Sequence, residues 1–253
     1  MSTIPFAVQL YTLRNETAED FPGTLKKVAE LGFDAVEFAG FGGLEAKEVK
    51  RLLDELGLKA ASSHVPLDEL KNNLDKVIQD QKTIGSEYIV CPFIEDRSEE
   101  DYKQLIQDLK TIGDSCKKEG LTLCYHNHDF ELEPFNDGRL PLDVILEETE
   151  GQVEAEFDIY WLKKAGEQPS TWMDRYKGRT PLIHLKDMTV DDEQFFAELG
   201  TGGVDLDTVL SLGEKSGVKW WIVEQDESRR NPIESLEISM YYLKEKFPHL
   251  INE

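Results

Sequence analysis

Residues 58–92 read LKAASSHVPLDELKNNLDKVIQDQKTIGSEYIVCP, and this stretch decides the fold. Leu58 to Ser63 is a short run of strand length. Leu67 to Ile84 is a longer amphipathic stretch that predicts a helix closed by Gly85. Tyr88 to Cys91 is a second strand, ended by Pro92 because proline cannot continue a ladder. A strand, a helix and a strand in succession imply a crossover and parallel pairing.

The same unit recurs on both sides. Before it lie a strand from Ile4 to Leu10, a helix from about Ala18 to Leu31 with Gly32 as C-cap, a strand from Phe33 to Phe38, and a helix from Glu45 to Leu56 closed by Gly57. After it comes a helix from Ser98 to Glu119, with Ser98 as cap, acids in its first turn and Gly120 behind it. A strand from Leu121 to His126 and a helix from Pro141 to Glu148 follow. Then come a strand from Val153 to Asp158, a helix around Pro169 to Tyr176, and a strand from Pro181 to Leu185. An irregular stretch containing GTGGVD leads to a helix from Leu206 to Lys215, a strand from Trp220 to Glu224 and a last helix from Pro232 to Lys246.

Eight strand–helix units can close into a (β/α)8 TIM barrel, and 253 residues is an ordinary size for one. No Gly/Ser tract, proline-rich stretch or long single-sign charge run divides the chain, so residues 1–253 read as a single domain. A doubly wound open sheet would often carry a glycine-rich phosphate turn after its first strand. Here that strand runs into QLYTLRNE, and the late GTGG segment reads as a turn.

The net charge is −23 and the pI about 4.6, which makes the chain a poor partner for nucleic acid: phosphate recognition needs a basic stripe, and none is present. The acidity reads as a solvated surface. Cys91, Cys116 and Cys124 are an odd number without paired spacing, which predicts reduced thiols in a cytoplasmic protein, with Cys91 and Cys124 as small core residues. The first residues, MSTIPFAVQL, lack the basic and long apolar regions of a signal peptide, and no apolar run reaches the ~18 residues of a membrane span.

In such a barrel the active site is built at the C-terminal ends of the strands. The residues there are Gln9 and Tyr11, Glu37, His64, His126 and His128, Asp158, His184 and Lys186, and Glu224. Of the five histidines, only His249 lies elsewhere. Any one of the four reads equally as a satisfied core or surface histidine. Together with Asp158 and Glu224 they converge on one pocket, where carboxylates and imidazoles are costly unless a cation or hydrogen bonds compensate. One divalent metal is therefore expected. Mixed oxygen and nitrogen donors suit manganese, zinc, cobalt or ferrous iron better than magnesium.

Seven segments carry a resemblance: QLYTLR, GFDAVEFAG, SSHVP, CYHNHDFELE, FDIYW, PLIHLKDM and WWIVEQDE. With them the chain resembles, over nearly its whole length, the xylose-isomerase-like barrel superfamily. Within it, the likeness is to the sugar phosphate isomerase/epimerase group of tagatose 3-epimerase-like enzymes and inosose dehydratases. The resemblance implies a single metal held by Glu, Asp, His and Glu from strands five to eight. Asp158, His184 and Glu224 match the last three. The first position departs, because His126 stands where the glutamate is expected; His128 is the alternative ligand or a substrate contact, and Glu131 could also reach back.

The implied chemistry is proton abstraction next to a metal-bound carbonyl of a keto-sugar or inositol derivative. Glu224 or a histidine such as His128 would act as base, and Lys186 would stabilise negative charge. Reprotonation gives an isomerase or epimerase; loss of a β-substituent gives a dehydratase or keto-glycoside lyase. Only Glu224 remains of the paired glutamates that the epimerases use, so epimerisation needs a histidine as the second base. Gln9, Tyr11, Glu37, His64, Glu131 and Trp161 are the expected substrate contacts, with Trp161 stacking on a sugar face. An endonuclease-like phosphodiesterase conflicts with the charge, and a non-catalytic sugar-binding barrel conflicts with a nearly intact ligand set. A homodimer through the helices is compatible with the sequence.

Overall fold

The structure, a computed structural model, describes residues 4–250. Its barrel strands are runs of four to six residues: β1 Phe6–Gln9, β2 Ala35–Phe38, β3 Lys59–His64, β4 Tyr88–Cys91, β5 Thr122–His126, β6 Val153–Asp158 and β7 Leu182–Leu185. A small hairpin, β8 Asp187–Met188 with β9 Phe196–Ala197, precedes the last barrel strand, β10 Trp220–Val223. The barrel order is β1-β10-β7-β6-β5-β4-β3-β2, closed because β1 pairs in parallel with both β2 and β10. The chain forms the expected (β/α)8 barrel with its helices outside.

Side chains on a strand alternate between two faces. Phe6, Val8, Val36, Ile89, Leu123, Phe157, Ile183 and Val223 join a large apolar cluster with helix residues such as Leu25, Val49, Leu109 and Leu236. Ala7, Ala35, Ala61, Val90, Cys124, Leu182 and Ile222 form a separate cluster of strand residues only, which is the interior of the barrel. Two residues further along that inward face stand Gln9, Glu37, His126, His184 and Glu224. Register places the site: a bulge between Val36 and Glu37 sets Ser62 opposite Glu37, and β6 pairs Asp158 with His184.

The expected helices differ from the observed ones at four places, each for a local reason. The stretch from Leu67 to Ile84 is two helices, Leu67–Asn72 and Leu74–Ile84. At the break, the Asn72 amide donates to the Asp68 carbonyl and the Asn73 amide to the Glu69 carboxylate, which competes with helix continuation. The first helical stretch is a 3-10 turn Leu10–Leu13, a helix Arg14–Glu19 and a helix Phe21–Leu31. Asp20 separates the last two and caps the latter by accepting from the Gly23 amide at 2.9 Å. The stretch from Leu206 to Lys215 is Leu206–Ser211 and Gly213–Ser216. A Cβ at Gly213 would meet the Trp221 ring at 2.4 Å, so the backbone there presses directly on the indole. A helix not expected, Ile159–Lys164, starts on Asp158 itself.

The GTGG segment is a turn, held by Asp187, whose carboxylate accepts from the amides of Met188, Gly200, Gly202 and Val204 at 2.8–3.0 Å. All three cysteines are buried free thiols. Among the described residues, no helix is long and apolar enough to cross a membrane.

Candidate functional site

The polar ends of the inward faces meet at the floor of a cavity of about 800 Å³. His64, His126, His128, Trp161, Lys186, Glu224 and Tyr11 line it, while Asp158 and His184 lie buried beside them. Phe41, Val65, Val77 and Phe93 add an apolar part to the lining.

His184 is the hub. Its Nδ1 lies 2.8 Å from Glu224 Oε2 and its Nε2 lies 2.7 Å from Glu37 Oε1, so both ring nitrogens face carboxylates. Burial opposes charge on this ring, but Glu156, Glu37 and Glu224 outweigh it and raise the pKa well above the usual histidine value. His64 follows the same balance: burial opposes, Glu37 and Glu156 prevail, and its pKa rises to about 10. Its Nε2 sits 2.7 Å from Glu156 Oε2 and 3.2 Å from Glu37 Oε1.

His126 goes the other way. Burial, then the nearby cationic groups His184 and Lys186 and its histidine neighbours, hold it neutral, well below the usual value. Its Nδ1 is 2.9 Å from Glu156 Oε2 and donates to it, which leaves the Nε2 lone pair free and directed to a carboxylate oxygen 3.8 Å away, Asp158 Oδ2. His128 is also neutral, lowered to about 3 by burial and then by Lys186. It stacks on Phe130 with centroids 5.0 Å apart and lies edge-on to Phe93.

Asp158 is fixed by its own helix start: Oδ1 accepts from the Tyr160 and Trp161 amides at 2.9 and 3.0 Å. Its amide donates to Asn127 Oδ1. Burial raises its carboxyl despite Lys186. Glu224 is held well below the carboxylate range: Lys186 and His184 together overcome burial.

Three expected substrate contacts lie elsewhere. Gln9 and Glu37 sit beneath the floor, where the Gln9 amide donates to Glu37 Oε1 at 2.7 Å and Ser62 Oγ donates to Glu37 Oε2. Glu131 is buried behind β5, accepting from Tyr125 Oη at 2.8 Å and from the His128 amide at 2.7 Å. All their carboxylate oxygens are engaged, so these residues shape the site from below and behind.

Two residues that sequence reasoning missed belong to the cluster. Glu156 lies two residues before Asp158 on the same inward face and joins His64 and His126. Asp226, two beyond Glu224, accepts from Lys186 Nζ at 2.7 Å. Following each inward face by steps of two would have found both.

Five carboxylates, on Glu37, Glu156, Asp158, Glu224 and Asp226, crowd against three cations, Lys186 and protonated His64 and His184. Burial raises the carboxyls of Glu156, Asp158 and Asp226, a cost that a bound cation would offset. Asp158, His184 and Glu224 offer donor atoms within 4.8 Å of one another. His126 Nε2 and His184 Nδ1 lie 3.8 and 3.9 Å from Asp158 Oδ2. This is too long for a hydrogen bond and a few tenths of an ångström longer than the roughly 3.3–3.6 Å between tetrahedral ligands about 2.0–2.2 Å from one ion, so a small inward shift would bring these donors onto a shared metal. Glu156 Oε1 is buried with no hydrogen-bond partner among the described residues. The donor set therefore fits a divalent metal, and holding it requires His184 to release a ring proton.

A family model described as xylose isomerase-like TIM barrel matches residues 25–246. The inosose dehydratase of Lacticaseibacillus casei is 25% identical over 270 residues, covering 86% of this chain and 90% of that protein. A sugar phosphate isomerase/epimerase from Parabacteroides distasonis shares the fold with a TM-score of 0.83 at 23% identity, over 100% of this chain and 96% of that one. The structure of IolI protein with a bound zinc atom aligns with a TM-score of 0.77 at 14% identity, over 98% of this chain and 100% of that one.

Proposed function

The chain belongs to the xylose isomerase-like TIM barrel family, and from that premise we propose that it is a divalent-metal-dependent enzyme that removes a proton beside the carbonyl of a keto-sugar or inositol derivative. The observation that carries this reading is the convergence of Asp158, His184 and Glu224 donor atoms within 4.8 Å of one another, with Glu224 lining the cavity and the other two fully buried beside it. A zinc atom in a neighbour of the same fold supports it.

Asp158, His184, Glu224 and His126 Nε2 would hold the metal. Glu156 acts on His126 from behind, since its Oε2 fixes the Nδ1 proton and so directs Nε2 into the site. When bound, the metal supplies Lewis acidity to a substrate carbonyl. Glu224 lines the cavity as a carboxylate and is the candidate base, while His128, whose protonation burial and then Lys186 oppose, offers a ring nitrogen to accept a hydrogen bond from the substrate. Lys186 and His64 are cationic donors on the same wall and can stabilise developing negative charge or return a proton to oxygen. Trp161 and Tyr11 offer faces to a sugar ring. The cavity falls within the roughly 300–1,000 Å³ of small-molecule sites.

The likeness to inosose dehydratase favours loss of a β-hydroxyl over simple reprotonation as the outcome. Both readings share the first proton abstraction. The test is to load the chelated protein with zinc, manganese or cobalt, measure metal per chain, and follow deuterium uptake into inosose and keto-sugars in heavy water. Metal-dependent exchange at the carbon beside the carbonyl is the expected result. Metal bound without exchange on any keto-substrate refutes the proposed chemistry, and an unsaturated product identifies the dehydratase.

A further inference from the structure

Lys186 enters the cluster two residues beyond His184, and its ammonium touches three carboxylate oxygens. They are Asp158 Oδ2 at 2.9 Å, Glu224 Oε2 at 2.7 Å and Asp226 Oδ1 at 2.7 Å. The first two belong to residues proposed to hold the metal. Asp158 Oδ2 is also the atom that His126 Nε2 and His184 Nδ1 approach. Ammonium and divalent ion therefore draw on the same oxygens, and being of like charge they compete for them.

Lys186 is only 2% exposed. It cannot give up two partners to a metal and turn to bulk water, and a buried ammonium without a carboxylate is strongly disfavoured. Asp226 is the one contact of the three outside the proposed ligand set. Its backbone is pinned: Arg14 Nη1 donates to the Asp226 carbonyl at 2.7 Å, and the Gln225 amide donates to Thr12 Oγ1 at 3.1 Å. The end of the last barrel strand is thus tied to the segment after β1, and the Asp226 carboxylate is held beside the lysine at the cavity wall.

We infer that Asp226 is a positioning residue that keeps the Lys186 ammonium when a divalent metal takes Asp158 and Glu224, so that metal and charged lysine can occupy the site together. This rests on the metal reading above. Without Asp226 the lysine has no anionic partner except the metal's own ligands, and it competes with the metal for them. Lys186 is then the cause of weak metal binding, and removing it cures the defect.

The experiment is a double-mutant cycle on the full chain: wild type, Asp226→Asn, Lys186→Met and the double variant, each stripped by chelation and titrated with Co²⁺ alone. Affinity is read by calorimetry and by the visible spectrum of the bound ion, with circular dichroism confirming that each variant is folded. Asp226→Asn is expected to weaken Co²⁺ binding at least tenfold, Lys186→Met to bind as tightly as wild type or tighter, and the double variant to match Lys186→Met. An equal loss from Asp226→Asn in both backgrounds overturns the inference, because Asp226 would then act only as one more negative charge. No loss in either background overturns it too, and both outcomes leave the metal reading intact. A wild type that binds no Co²⁺ sinks the metal reading and the inference with it.

Discussion

The lower and upper halves of the barrel interior are built by the same strands, two residues apart, and are opposite in kind. Below lie Ala7, Ala35, Ala61, Val90, Cys124, Leu182 and Ile222. Above lie Gln9, Glu37, His126, Glu156, His184 and Glu224, all 6% exposed or less. Both halves are buried, so exposure does not separate them. What separates them is compensation: the lower half offers no partner for a charge, while the upper half supplies one for nearly every charged group. An apolar residue followed two positions later by a polar one, on the inward faces of β1, β2, β5, β7 and β10, is the pattern of a barrel with a polar mouth.

The comparison breaks most severely if the lower half is made to resemble the upper. Leu182 pairs in register with Glu156 and is fully buried. Leu182→Glu places a second carboxylate there without a partner, at a cost on the order of 5 kcal/mol or more. Loss of cooperative thermal unfolding or of soluble expression is expected. Leu182→Met keeps the volume and should cost under about 1.5 kcal/mol. A folded Leu182→Glu protein of near wild-type Tm would show that the lower half tolerates charge after all.

Next in size is the reverse operation, removing a partner from the upper half. His184→Ala leaves Glu37 and Glu224 without the ring that joins them. Breaking a buried ion pair of this kind costs about 3–5 kcal/mol. Without metal, the Tm should fall; with metal offered, less than a tenth of the wild-type loading should remain by elemental analysis. Unchanged metal content in a folded His184→Ala protein would remove His184 from the ligand set.

The two halves were not equally legible. Glycine-closed helices and short strands give the barrel because periodicity is a local signal. Tyr88–Cys91, Pro141–Glu148, Val153–Asp158 and Pro232–Lys246 lie where that signal puts them. The breaks at Asp20, Asn73 and Leu212 leave no mark in the apolar pattern, since they arise from side chain-to-backbone bonds and from contact with Trp221. At the mouth, the rule of strand ends brought together His64, His126, His128, Asp158, His184, Lys186 and Glu224. It missed Glu156 and Asp226 because it looks at one height on each strand, whereas the cluster spans two. It placed Gln9, Glu37 and Glu131 on the substrate because it cannot tell a residue on the cavity floor from one just beneath or behind it.

The smallest expected effect lies at the edge of this comparison, on Glu131, an acid buried behind β5 that stands outside the histidine cluster. Burial raises its carboxyl from 4.5 to about 7, against the opposing bonds from the His128 amide and Tyr125 hydroxyl. A carboxyl that ionises less readily in the folded chain than in the unfolded one favours folding while it is protonated. That contribution is complete below pH 4.5 and disappears as the pH rises through about 7. Glu131→Gln keeps an oxygen to accept one bond and removes the titration. Urea unfolding of both proteins across this window should therefore show the wild type losing stability relative to Glu131→Gln as pH rises, with the difference level above about pH 8. Parallel curves would mean that the carboxylate is as well compensated as those of the cluster, and that Glu131 belongs with them physically even though it touches none of their histidine rings.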